Sequence, residues 1–181
     1  SLENRARFTR LVGEKIKERC GKDFLVGIAI TAVEPPEVYG EDGLTYEETC
    51  EFLKCIDGVV DIVSIREHQI DYAQGPGSRP DILPNREAHK VLSKFIRENN
   101  LSIKLAYVCG AHDLDDCEDL IASGDADIIL SSRAYITNPD FAQKMAEGRN
   151  DDVVPCLRCS RCHHDRNDRW STVCSVNPEF G

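Results

Sequence analysis

Positive charge is scarce in this chain: 22 Lys and Arg stand against 32 Asp and Glu, for a formal net charge of −10. Such a surface repels phosphates and anionic headgroups, so neither nucleic acid nor a membrane is expected as a partner. Long apolar runs are also lacking, and none approaches the ~20 residues of a membrane-spanning helix. The opening Ser1-Leu2-Glu3-Asn4-Arg5-Ala6-Arg7-Phe8 is polar and helical in pattern, unlike a secretory leader. No Gly-x-Gly-x-x-Gly follows any strand-like segment, which argues against a nucleotide-binding Rossmann unit.

Cysteine, by contrast, is abundant. Nine cysteines without a secretion signal suggest a reducing cytoplasm, where thiols serve metals rather than disulfides. Cys156, Cys159 and Cys162 form a Cys-x2-Cys-x2-Cys run, and Cys174 follows after eleven intervening residues. Three close thiolates and one distant thiolate suit an iron–sulfur cubane. Arg158, Arg161 and the loop amides can offset the thiolate charge and tune a potential. Zinc stays open as an alternative, because soft thiolates also select it and Cys156, Cys159 and Cys162 could join His163 or His164. With four cysteines completing a cluster, the two histidines are expected outside the ligand set. The loop is too rich in Arg, Asp, Asn and Ser to bury free thiols as an apolar core would. Cys20, Cys50, Cys55 and Cys117 fall in or beside helical patterns and are expected as small core residues.

Strand and helix signals alternate along the chain. Ser1 can cap a helix whose apolar positions Phe8, Leu11, Val12 and Ile16 recur at helical spacing, with Gly21 as its stop. Residues 24–31 form a nearly continuous apolar run, the mark of a strand buried on both faces. After a Pro- and Gly-rich loop, Thr45 and Glu48 form a capping box for a helix to about Ile56. Further strands are predicted at 59–65, 103–108 and 126–130, and further helices at 85–99, 113–124 and 138–148, the last capped by Asn138 and begun by Pro139. Residues 66–84 read as a long loop. This alternation implies parallel strands joined by right-handed helical crossovers. A full barrel takes ~250 residues and eight strands, and four are counted here. The chain therefore reads as α/β: the second half of a (β/α)8 TIM barrel, four βα units over residues 1–148, followed by a cysteine-rich cluster loop and linker start over 149–181. Its first and last strands would be open apolar edges, through which two copies could pair as a homodimer.

Three segments carry a resemblance. Residues 1–8 (SLENRARF) resemble the G-S-x-E-N-R-x-R-F segment of the old yellow enzyme family of NADH:flavin oxidoreductases. Residues 124–141 (GDADIILSSRAYITNPDF) are similar to that family's last strand and phosphate loop. Cys156 through Cys174, with Ser175-Val176-Asn177-Pro178-Glu179-Phe180-Gly181, resembles its iron–sulfur branch, which includes 2,4-dienoyl-CoA reductase, 2-enoate reductase and trimethylamine dehydrogenase. The resemblance implies a TIM barrel holding FMN at the C-terminal ends of its strands. It also implies a [4Fe–4S] cluster passing electrons between FMN and a downstream domain that binds FAD and NAD(P)H. By this alignment the chain covers strands five to eight, so the N-terminal half-barrel and the FAD/NAD(P)H domain are its missing partners. The implied activity is reduction of an activated C=C bond in a small-molecule substrate of enoate or dienoyl-CoA type. The isolated segment is expected to be inactive. The alternative is a non-catalytic half-barrel that binds zinc or only transfers electrons.

Barrel physics places a phosphate site after the last two strands. Gly110, Ser131, Ser132 and Arg133 are the candidates: Gly110 lets backbone approach a ligand, and Arg133 can grip a phosphate through two N–H groups. Three positions depart from the family. Ala29 stands where the family usually has an arginine against the flavin, Ser132 replaces the glycine before the phosphate-gripping arginine, and Cys109 replaces a glycine after strand seven. Each change narrows room or removes a contact, so FMN is expected to bind weakly or not at all. Cys156, Cys159, Cys162 and Cys174 are the expected metal ligands. The catalytic acid would come from the missing half. His68 and the segment Gly75-Pro76-Gly77-Ser78-Arg79-Pro80 are loop positions at the catalytic face, with ordinary surface roles expected.

Overall fold

The computed structural model describes residues 1–34, 39–66, 86–108, 114–157, 159, 161–162 and 172–180. His68, Gly75 to Pro80, Cys109, Gly110, Arg158, His163 and His164 lie outside them. The elements are α1 (Leu2–Cys20), β1 (Gly27–Thr31), α2 (Tyr46–Ile56), β2 (Ile62–Arg66), α3 (Arg86–Glu98), β3 (Lys104–Val108), α4 (Leu114–Ala122), β4 (Ile128–Leu130), α5 (Ser132–Thr137), α6 (Phe141–Ala146) and a 3-10 turn, Asn150–Asp152. The sheet runs β1-β2-β3-β4, with β1–β2 and β2–β3 parallel. Consecutive strands are therefore spatial neighbours, each separated from the next by helical chain, as the alternating pattern requires.

The chain divides into two compact units, residues 1–68 with 85–108 and 121–129, and residues 69–84 with 109–120 and 130–181. In the first, the strand period of two sorts the side chains. Ile28, Val63 and Leu105 form one register row, and Ile30, Ile65 and Tyr107 the next. These rows face the helices, where Cys50, Leu53 and Ile56 of α2 and Ala88, Leu92 and Ile96 of α3 close the core. Each fully buried Leu or Ile contributes roughly 1.5–3 kcal/mol. Ala29, Ser64 and Ala106 form the row between, on the opposite face.

Helix starts follow the residues that cap them. Ser1 Oγ accepts from the Asn4 amide, and Thr45 Oγ1 accepts from the Glu48 amide at 3.2 Å. The Glu48 carboxylate pairs with Arg5 and also accepts from the Thr45 amide, which hold it below the usual carboxylate range although burial opposes this. Glycine at position 13 lets α1 approach the chain before β2: a Cβ there would lie 2.9 Å from the Val59 carbonyl oxygen. The helix is thus seated by Ala6 and Gly13, with Ile16 packed against the core beside them. Phe8, Leu11 and Val12, which mark the helix in the sequence, stand exposed instead. So does Cys20 in the last turn, contrary to the expectation of a core thiol; Cys50 and Cys117 are buried and Cys55 is half-buried.

Aspartates tie the strand beginnings together. Asp61 accepts from the Val26 amide at 2.7 Å and from Lys17 Nζ at 2.7 and 2.9 Å. Burial raises the Asp61 pKa, but these donors and the Lys17 charge outweigh it and hold the carboxyl below its ordinary value. Asp127 repeats the device: its carboxylate accepts from the Leu105 amide at 2.9 Å, and its own amide donates to the Leu105 carbonyl. Asp57 does the same for Ser102, accepting from its amide and hydroxyl.

The second unit corrects one expectation. The helix predicted over 138–148 is present as α6 but starts at Phe141, and a further short helix, α5, precedes Asn138. Asn138 is the C-cap residue of α5, and Asp140 is the N-cap residue of α6. The reason is that the Asn138 side chain is committed to the Val154 backbone. Tyr135 and Phe141 meet edge to face at 5.6 Å and hold the two helices together.

Candidate metal centre

The cysteine segment is held to α5 at both ends by buried asparagines. Asn138 is 2% exposed, so its amide must be satisfied within the protein. Its Nδ2 donates to the Val154 carbonyl at 2.8 Å, and its Oδ1 accepts from the Val154 amide at 2.9 Å. This side chain pairs with a backbone unit as a neighbouring strand would, and it fixes the chain two residues before Cys156. Lys144 Nζ, itself well covered, donates to Asn138 Oδ1 at 3.2 Å and pairs with Asp140 at 3.1 Å. At the other end Asn177 donates to the Ile136 carbonyl at 2.8 Å and accepts from the Glu179 amide. That bond fixes the chain three residues after Cys174.

Between these anchors, Cys156, Cys159, Cys162 and Cys174 line one pocket, with Arg133, Ile136, Thr137, Leu157, Ser175 and Val176 completing the wall. Arg133 is therefore brought to the cysteines rather than placed apart from them. Cys159 Sγ lies 3.2 Å from Ser175 Oγ. Hydrogen bonds from Ser175 and then from the Arg161 backbone amide hold the Cys159 thiol below its ordinary pKa. Cys162 is pushed up, first by burial and then by the charges of Cys156, Cys159 and Cys174.

The donor set fits a cubane, which takes one thiolate per iron and so needs four sulfurs around a cavity rather than at a point. A single tetrahedral zinc would need sulfurs about 3.8 Å apart, from Zn–S bonds of ~2.3 Å. Among the described residues no three His, Cys, Asp or Glu are placed to share one metal ion.

The phosphate candidates are partly visible. Ser131 is the N-cap residue of α5 at the C-terminal end of β4, and Ser132 begins that helix. Arg133 is half-buried on the cysteine cavity. Gly110 lies outside the described residues. Ala29 sits mid-strand in β1, paired with Ser64, and presents only a methyl group.

Residues 1–152 match the NADH:flavin oxidoreductase / NADH oxidase family. The chain belongs to that family. Among curated proteins it is similar to a bilirubin reductase of Mediterraneibacter gnavus, 26% identical over 100% of this chain and 28% of the relative, and to a cinnamate reductase of Clostridium sporogenes, 26% identical over 100% and 29%. Among solved structures it is similar to a histamine dehydrogenase from Rhizobium sp. 4-9, with TM-score 0.77 and 27% identity over 99% of this chain and 25% of that one. The chain thus spans under a third of the length of these relatives. The flavin-oxidoreductase family membership and the parallel four-stranded sheet together make the fold a partial (β/α)8 barrel. It resembles the iron–sulfur branch through the cysteine segment.

Sequence reasoning missed α5, Asn138 as an anchor, Asn177 and Ser175. The Asn138-Pro139 pair read as a helix start by local rules, and nothing local marks a side chain whose partner lies 16 residues away. The signal for Asn177 was present, since it follows Cys174 in the segment that carries the family resemblance, but its partner on α5 was not.

Proposed function

We propose that the chain is the C-terminal half-barrel (1–148) and cluster segment (149–181) of an FMN- and [4Fe–4S]-dependent oxidoreductase that reduces activated C=C bonds of enoate or dienoyl-CoA type with NAD(P)H electrons. The observation that carries the reading is the gathering of Cys156, Cys159, Cys162 and Cys174 on one cavity held to α5 by Asn138 and Asn177. A cluster bound there supplies single-electron transfer. The four cysteines bind it, Asn138 and Asn177 orient the segment, and Arg133 supplies positive charge beside the thiolates. Gly110, Ser131, Ser132 and Arg133 are the proposed contacts to an FMN phosphate. With Ala29 in β1, the chain offers no cation on that sheet position to stabilise a reduced flavin. The N-terminal half-barrel and the FAD/NAD(P)H domain are the proposed partners, and the segment alone is inactive. The cinnamate reductase supports the substrate class; the histamine dehydrogenase favours a second reading, oxidation of an amine.

Anaerobic purification followed by iron, acid-labile sulfide and zinc analysis tests the cluster. The expected result is a brown protein with about four iron and four sulfide per chain, reduced sharply by Cys174→Ser. Zinc in place of iron, or a well-ordered segment 153–180 with neither, overturns it. In the whole protein, NAD(P)H oxidation driven by cinnamate supports the first substrate class, and reduction of an acceptor driven by histamine supports the second.

A further inference from the structure

We propose that the Ser175 hydroxyl raises the reduction potential of the cluster by donating a hydrogen bond to the Cys159 sulfur. The inference rests on the cluster reading above and concerns one residue that reading does not use. Cys159 is the exposed member of the four cysteines, the other three being half-buried, so it is the ligand at which water competes most with the protein. Its Sγ lies 3.2 Å from Ser175 Oγ. Either atom of a free thiol–hydroxyl pair can donate. A cysteine bound to iron is a thiolate without a proton, so the hydroxyl must then be the donor. The dipeptide Cys174-Ser175 thus serves two ligand positions, with the Cys174 sulfur on the cavity and the Ser175 hydroxyl on the Cys159 sulfur.

The geometry resists simple fraying. Asn177, two residues on, is 8% exposed and bound to the Ile136 carbonyl at 2.8 Å, so Ser175 is held between a cavity-lining cysteine and a fixed asparagine. One-electron reduction adds negative charge to the cluster and its sulfurs. A donor aimed at a ligand sulfur therefore stabilises the reduced state more than the oxidised one, and the potential rises.

The test is an anaerobic redox titration of the iron-loaded protein, following the electron paramagnetic resonance signal of the reduced cluster, with iron and sulfide assayed on each sample. Ser175→Ala is expected to keep its iron and to titrate at lower potential. At the poise where the wild type is half reduced, its reduced-to-oxidised ratio should fall several-fold, up to roughly tenfold, which is 59 mV for one electron. Ser175→Thr, which keeps the hydroxyl, should return toward the wild-type value. A Ser175→Ala midpoint equal to wild type at full iron content overturns the role of Ser175 and leaves the cluster reading standing. If the alanine variant loses its iron, Ser175→Gly is titrated in its place under the same criterion. Absence of iron and sulfide from the wild type overturns both readings together.

Discussion

At the scale of single residues, His89 shows how burial sets a titration. The ring is 1% exposed, its centroid 4.3 Å from that of the tilted Tyr107 ring, with Nδ1 3.3 Å from the Asp125 carbonyl. Burial disfavours the imidazolium more than that carbonyl helps it, and the pKa falls to about 4. In the unfolded chain it returns to an ordinary value near 6.5. Between those two values the unfolded state binds the extra proton, so this contribution is complete above pH 6.5 and is lost as pH falls toward 4. Urea denaturation at pH 7 and pH 5 should show stability dropping by about 2 kcal/mol through this group. Much of that drop should disappear in His89→Gln, and an equal drop in both proteins would refute the assignment. Cys156, Cys159 and Cys162 were legible as a group because their spacing is local, and Cys174 was joined to them across eleven intervening residues. Asn138, Asn177 and Ser175 were not, because each acts through a partner 16 to 41 residues away.

At the scale of elements, α1 departs from the usual reading of an amphipathic helix. Phe8, Leu11 and Val12 of its apolar stripe face outward, while Ile16 packs on the core beside the small residues Ala6 and Gly13. Ala in place of Gly inside a helix normally gains about 1 kcal/mol. At position 13 the added Cβ meets the Val59 carbonyl oxygen at 2.9 Å and the Val59 Cβ at 3.2 Å, so α1 or the Val59 turn must shift. Gly13→Ala should destabilise by roughly 1–3 kcal/mol, seen as a lower Tm in calorimetry; a raised Tm would show that α1 is not seated there. The strands were legible to within three residues at their starts. Residues 24–26 are apolar, but pairing begins at Gly27, where β1 finds Ile62 of β2. The helix predicted over 138–148 forms over Phe141–Ala146, its start shifted because the Asn138 amide is taken by Val154.

For the whole molecule, the open sheet is the governing fact. β1 and β4 end the strand order, and Phe8, Leu11, Phe24 and Leu25 of the first unit are each more than half exposed. An apolar surface of that kind seeks a partner. In isolation the chain is expected to associate edge to edge with a second copy, giving a dimer by light scattering at micromolar concentration. A stable monomer there would count against edge pairing. No helix among the described residues is long and apolar enough to cross a membrane.

The sequence by itself determined the alternation of strands and helices and the capping of α1 and α2, which rest on spacing within a few residues, and it set the spacing of Cys156, Cys159, Cys162 and Cys174. Only the tertiary structure decided that Arg133 shares a wall with those sulfurs, that two asparagines lash the segment to α5, and that Ser175 reaches Cys159. Those are meetings of side chains distant along the chain, fixed by packing and by the need of buried amides to find hydrogen-bond partners, which local propensity does not encode.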